Sequence, residues 1–207
     1  KIDKGNLSIG NDADFCIVDL EKPKFIPDGF DFICFTDTNI QSDFWDVRQV
    51  TPLYGDSTRN ARKFKILPHR YLQDYEISIW TDGNQHIVGD YNELIKSHLS
   101  DKNLACYDHN QCRLDPRDCV YNEAEAILWL GQNNNGIYKD NPNLIREQVN
   151  KYFTDGYPRN NGLIVSGVMM RRHNEDDVKK TMEKWWEELK YGSKRDQLSF
   201  DYSVWKT

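Results

Sequence analysis

The sequence lacks any apolar run approaching the roughly 18 residues needed to cross a bilayer, and its opening residues hold no signal-peptide core. A soluble, cytoplasmic chain is therefore expected, with no transmembrane segment and membrane association only through a segment outside it. Because the sequence starts at Lys1 rather than Met, an upstream segment or a larger parent protein is expected. An excess of positive charge is missing too. Thirty-three Asp and Glu against 27 Lys and Arg leave a formal charge of −6. General attraction to phosphate backbones is thus no basis for function, and nucleic acid is not an expected partner. No repeat, low-complexity tract or charged linker divides the 207 residues. At 38% hydrophobic and 13% aromatic, residues 1–207 are expected to form one domain with a real core.

Cysteine pairing is a further absence. The five cysteines, at 16, 34, 106, 112 and 119, are odd in number and scattered, which favours a reducing compartment over a disulfide framework. Cys106, His109, Cys112 and Cys119 fall within fourteen residues, but not in the paired C-x-x-C spacing of zinc sites. Packing as small apolar side chains is the better expectation.

Short runs rich in β-branched and aromatic residues predict strands at Phe15–Val18, Phe30–Phe35, Ile77–Trp80 and Leu163–Val165. Segments with helical spacing alternate with them. Ser57 caps a predicted helix that Pro68 stops, and Asp118 starts one that ends at Gly131. Asn141-Pro142 opens a third. Asn174 opens a fourth, with Val178, Met182, Trp185 and Leu189 on one stripe and Gly192 beyond it. Alternating strands and helices predict an α/β layered fold whose ligands collect beyond the carboxyl ends of the strands.

Five places carry chemistry. Ile77-Ser-Ile-Trp80 runs into Asp82-Gly83-Asn84, where a carboxylate and an amide oxygen could hold a hard cation and glycine admits a ligand. The same residues equally well form a simple turn. Thr36-Asp37 ends another strand and suits either a nucleoside contact or an Asx turn. Arg59, Arg62 and Lys63 cluster by helical spacing and are read as a diphosphate clamp or as a solvated face. The strand around Gly167 runs out into Arg172 and His173, the latter either a metal ligand or a surface histidine. Finally, Arg195-Asp196-Gln197 offers a guanidinium, a carboxylate and an amide to a sugar, unless Asp196 is a helix N-cap.

Lys22 to Asp37, Arg59 to His69, Ile79 to Asn84, Gly162 to Asn174 and Arg195 to Phe200 occur in an order that resembles the glycosyltransferase-like family of plant turgor-regulation-defect and mucilage-related proteins. The order is similar, more broadly, to nucleotide-sugar transferases of the GT-A type. This resemblance implies a single GT-A-like, Rossmann-like domain with a mixed, mainly parallel sheet flanked by helices. It also implies a nucleoside diphosphate sugar donor, with a UDP-sugar favoured, a glycan or glycoconjugate acceptor, and a divalent cation, Mn or Mg. Asp82, Asn84 and His173 would then serve the metal. Thr36, Asp37, Arg59, Arg62, Gly83, Asn84, Arg172 and Arg195 would serve the donor, and Asp196 would be the carboxylate near the reacting sugar. Asn84 stands where the GT-A pattern has a second carboxylate, which weakens a hard-cation site. Residues 4–20 resemble the closing hairpin of amidohydrolases, but no His-x-His motif follows.

Two other functions compete with glycosyl transfer. Six Trp and eleven Tyr could stack on sugars in a non-catalytic carbohydrate-binding module. A metal-dependent hydrolase of amide-linked lipids is the other alternative, opposed by the scarcity of clustered histidines.

Overall fold

A computed structural model describes residues 29–83, 85 and 89–207. The strand expected at Phe15–Val18, the hairpin resemblance, Cys16 and Asn84 lie outside the described residues. Strand β1 (Ile33–Thr36) and strand β2 (Asp46–Gln49) pair in parallel, with Ile33 opposite Asp46. Helix α1 (Ser57–Ile66) follows. Its cap is Asp56, one residue before the expected Ser57, because the Asp56 side chain accepts from Thr58 N at 3.0 Å. Pro68 ends it by opening a 3-10 turn.

Strand β3 (Ser78–Thr81), helix α2 (Tyr91–His98), strand β4 (Leu104–Asp108), helix α3 (Val120–Asn133), helix α4 (Pro142–Thr154) and strand β5 (Ile164–Arg171) come next. Helix α5 (Asp176–Tyr191) and helix α6 (Gln197–Lys206) close the described chain. Asn141 caps α4 with Pro142 in its first turn, as expected. Gly131 does not end α3. It lies inside the helix because the Tyr138 ring packs where a Cβ would stand.

The α/β class stands, but strand direction departs from expectation. In the second sheet, ordered β3-β5-β4, both pairings are antiparallel, with Ser78 opposite Arg171 and Leu104 also opposite Arg171. Among the described residues β1 and β2 alone are parallel. The register of β4 against β5 slips between Cys106 and Tyr107, so Ser166, Gly167 and Val168 have no β4 partner. Such an irregularity frees a short stretch of strand to serve a site rather than a ladder.

Helix α5 packs its stripe onto this sheet. Val178, Met182, Trp185 and Leu189 are all buried, together with Met169 of β5 and Ile66 of α1. A second cluster forms where Tyr152 of α4 stacks on Tyr202 of α6, ring centroids 3.8 Å apart. No helix among the described residues is long and apolar enough to cross a membrane. Met182 is fully buried at the centre of the first cluster, so Met182→Ala should lower stability by about 2 to 5 kcal/mol, read as a shift of the urea midpoint at unchanged slope.

Candidate active site

Backbone geometry brings the chemistry together at one end of the β3–β5 pair. Because the two strands are antiparallel, the exit of β3 faces the early part of β5, and Asp82 N donates to Gly167 O at 2.8 Å. Helix α5 then carries the chain back. Sixteen residues of helix rise about 24 Å and eight of strand about 26 Å, so the chain leaving the far end of β5 returns beside its beginning. Asp196 arrives there, and its carboxylate accepts from Ser166 Oγ at 2.9 Å.

The two carboxylates are joined by a residue not singled out from the sequence. Lys65 Nζ lies 2.7 Å from Asp196 Oδ2, 3.3 Å from Asp82 Oδ1 and 3.1 Å from Ser166 Oγ. Its side chain is 1% exposed. The signal was there in outline, since Lys65 follows Arg62 by one helical turn. Arg62 Nε stands 3.4 Å from Asp196 Oδ2 and also reaches Lys194 O. Trp80 Nε1 donates to Asp82 Oδ1 at 2.6 Å. The inner oxygen of Asp82 is thereby fixed twice, while its side chain stays 37% exposed. A Cβ at position 167 would lie 3.5 Å from the other oxygen, Oδ2, and 3.8 Å from Gln85 Nε2, so Gly167 leaves room beside that oxygen.

Asp196 takes a different role from the one expected. It is buried, it caps α6 through Gln197 N, and its backbone carbonyl accepts from Trp185 Nε1 at 2.9 Å. Burial alone would raise its pKa, but Arg62, Lys65 and Arg195 overcome that and hold it well below the usual carboxylate range. A carboxylate enclosed this way keeps Lys65 and Arg62 in place and is a poor proton acceptor. Of the two expectations for this residue, the helix N-cap is the one its contacts show.

Several expected donor or metal residues lie elsewhere. Arg59 is paired with Asp56 at 2.6 Å and donates to Gly192 O, tying the start of α1 to the end of α5 instead of entering the cleft. Lys63 stands over the rings of Phe64 and Tyr71. Arg172 and His173 follow β5, at the end opposite Asp82. Arg172 pairs with Glu76 there, and the buried His173 bonds Leu72 O at 2.8 Å through Nε2. A parallel sheet would have put both strand exits on one edge; the antiparallel pairing separates them. Thr36 Oγ1 caps its own turn, accepting from Thr38 N, and Asp37 is exposed. Among the described residues no hydrogen bond or ion pair links either to Asp82. Arg195 is half-buried beside Asp196, and Gly83 follows Asp82 in the turn.

Among the described residues, Asp82 is the one expected ligand whose surroundings fit a cation. Asp82 Oδ2 is the outward oxygen, and one carboxylate suits a small hard cation that takes its remaining ligands from a diphosphate and water. His173 drops from the set. Among the described residues no group of three or more His, Cys, Asp or Glu could hold a metal alone. Cys34, Cys106, Cys112 and Cys119 are free, and burial pushes the Cys106 thiol up to about 12, as befits packing groups.

Comparison by sequence bears on the chain as a whole. The model of the TOD1/MUCI70 glycosyltransferase-like domain matches residues 34–207. The chain belongs to this family. A relative from Arabidopsis thaliana, described as a probable hexosyltransferase, MUCI70, is 28% identical over 167 residues, which cover 79% of this chain and 28% of that protein. The chain thus spans well under half of that relative's length. No solved structure matches it.

Removing Asp196 takes a buried counter-charge from beside Lys65 and Arg62, of which Lys65 keeps Asp82. Asp196→Ala should therefore cost about 3 to 5 kcal/mol in urea unfolding at pH 7. The lowered native pKa fixes the sign of the pH dependence. The stabilisation is complete above the unfolded value of 3.8 and is lost as pH falls through the depressed native one. The difference between the parent protein and Asp196→Ala should accordingly shrink below about pH 4.

Proposed function

We propose that this domain transfers a sugar from a nucleoside diphosphate sugar, a UDP-sugar in particular, to a glycan or glycoconjugate acceptor, and that Asp82 meets the donor. The observation carrying this reading is the split environment of Asp82: one oxygen locked by Trp80 and the buried Lys65, the other left open beside Gly167. In glycosyl transfer, negative charge accumulates on the leaving diphosphate as the sugar carbon becomes cationic. A divalent cation held by Asp82 Oδ2 and the diphosphate would neutralise that charge. The chain's own part is preorganisation. Lys65 fixes the orientation of Asp82, Asp196 and Ser166 fix Lys65, and Arg62 secures Asp196 from the side. Asp196 is accordingly a positioning residue, and the family membership supports the reaction class.

The test is donor binding followed by thermal unfolding with uridine and guanosine diphosphates, with and without manganese. A nucleotide at a hundred times its Kd should stabilise the domain by about 2.7 kcal/mol. Asp82→Ala should abolish this shift while leaving the fold intact, since the side chain is partly exposed. Stabilisation by free glycans and by no nucleotide would instead favour a carbohydrate-binding module.

Gly167→Ala gives a sharper check, because its methyl would sit in ordinary contact with Asp82 Oδ2 without crowding the backbone. Its unfolding midpoint should match the parent, and its donor affinity should fall about tenfold, the equivalent of ~1.4 kcal/mol.

A further inference from the structure

Helix α6 takes over an edge of β5 that β3 leaves. The ladder of β3 ends with the bond from Asp82 N to Gly167 O. Three residues earlier on β5, Ile164 N donates to Asp201 Oδ2 at 3.2 Å, and Gln197 Nε2 donates to Ile164 O at 2.8 Å. Strand β4 lies on the other side, where His109 N donates to Leu163 O. Backbone groups of successive strand residues point to opposite sides, so those of Ile164 face the edge that β3 has vacated. Asp82 and Asp201 are therefore neighbours along one edge, separated by the rise of three strand residues, about 10 Å. Lys65 gives a second route between them. It joins Asp82 to Asp196, and α6 rises about 7.5 Å from Asp196 to Asp201.

Asp201 has the properties that Asp196 lacks. It is partly exposed, and among the described residues no lysine or arginine pairs with it. The hydrogen bonds that favour its charge come from Ile164 N and its own amide. Burial, helped by the Asp108 carboxylate at the end of β4, outweighs them and pushes the carboxyl up to about 6. Cys106 of β4 and Tyr157 ahead of β5 also face it, and burial pushes each up to about 12, so both stay neutral there. A Cβ at position 162 would lie 3.2 Å from Asp201 Oδ1, so Gly162 leaves room beside the oxygen that Ile164 does not use. A carboxylate that is reachable, weakly held and free of a counter-cation is suited to accept a proton near neutral pH.

We propose that Asp201 takes the proton of the acceptor hydroxyl during sugar transfer, which proceeds by a single displacement with inversion, an assignment that rests on the reading of Asp82 as the donor site. The acceptor oxygen forms a bond to the anomeric carbon while the bond from that carbon to the diphosphate oxygen breaks. The diphosphate leaves with the electron pair, the hydroxyl proton passes to the Asp201 carboxylate, and water later removes it. A gap of about 10 Å between the carboxylates holds the sugar and the attacking oxygen between them.

Release of uridine diphosphate from UDP-glucose, UDP-galactose and UDP-N-acetylglucosamine, with manganese present and water as acceptor, tests it in the parent and in Asp201→Asn. The amide oxygen of that variant still accepts from Ile164 N, which keeps the tie between α6 and β5. At saturating donor, turnover by the parent should rise with pH and level off above about pH 6, because the carboxylate must be ionised to act. Asp201→Asn should lower turnover about a hundredfold or more and remove the bend, while its affinity for uridine diphosphate stays within about twofold of the parent. NMR of the released sugar should show the anomeric configuration opposite to the donor's. Carbon-13 NMR of the parent, which needs no variant, should give an Asp201 carboxyl midpoint of about 6. Undiminished turnover in Asp201→Asn overturns the assignment, as do retained configuration, an ordinary midpoint near 3.8, and loss of diphosphate binding in step with turnover. A parent protein that binds neither uridine nor guanosine diphosphate fails the transfer reading itself. One that releases the diphosphate no faster than Asp201→Asn fails the assignment alone.

Discussion

The buried ammonium of Lys65 is the point on which the candidate site depends. It joins a helix, the exit of one strand, the irregular stretch of another and the cap of α6, through Asp82, Ser166 and Asp196. A cation taken out of water is tolerated only when the surrounding carboxylates and hydroxyls replace its hydration. That requirement ties the packing of α1 to the return of the chain after α5. It also explains why Asp196 is enclosed: its negative charge is needed inside, next to Lys65 and Arg62, more than at the surface.

The division of labour between the two carboxylates follows from their exposure. Asp82 presents an oxygen outward, while Asp196 presents none and serves as a fixed counter-charge. A site arranged this way can orient one reactive ligand without spending conformational freedom at the moment of reaction.

Much of the local structure was legible in the chain. Pro142 after Asn141 and the apolar stripe of α5 each marked their element through capping chemistry or period. The last-turn lysines Lys63 and Lys65 are typical of helix ends. Strand β2, strand β4 and helix α2 were not foreseen, and helix α6 only through the alternative that Asp196 is an N-cap. Strand β2, for example, reads Asp46-Val-Arg-Gln49, with two charged residues in four and no clear alternation. Helix α6 carries apolar residues around much of its circumference, since it is wedged between α3 and α5, so periodicity gives no stripe to read.

Sequence by itself determined the family, the α/β class and the identity of Asp82, Gly167 and Asp196 as residues worth placing, because short motifs in a fixed order survive independently of geometry. Tertiary structure decided which of them meet. The direction of β3 against β5 is set by pairing between residues about ninety positions apart, and local propensity does not encode it. That direction carried Asp196 to Asp82 and left Arg172 and His173 at the opposite end. It also revealed Lys65, whose charge looks like any surface lysine in the sequence until the fold surrounds it with carboxylates.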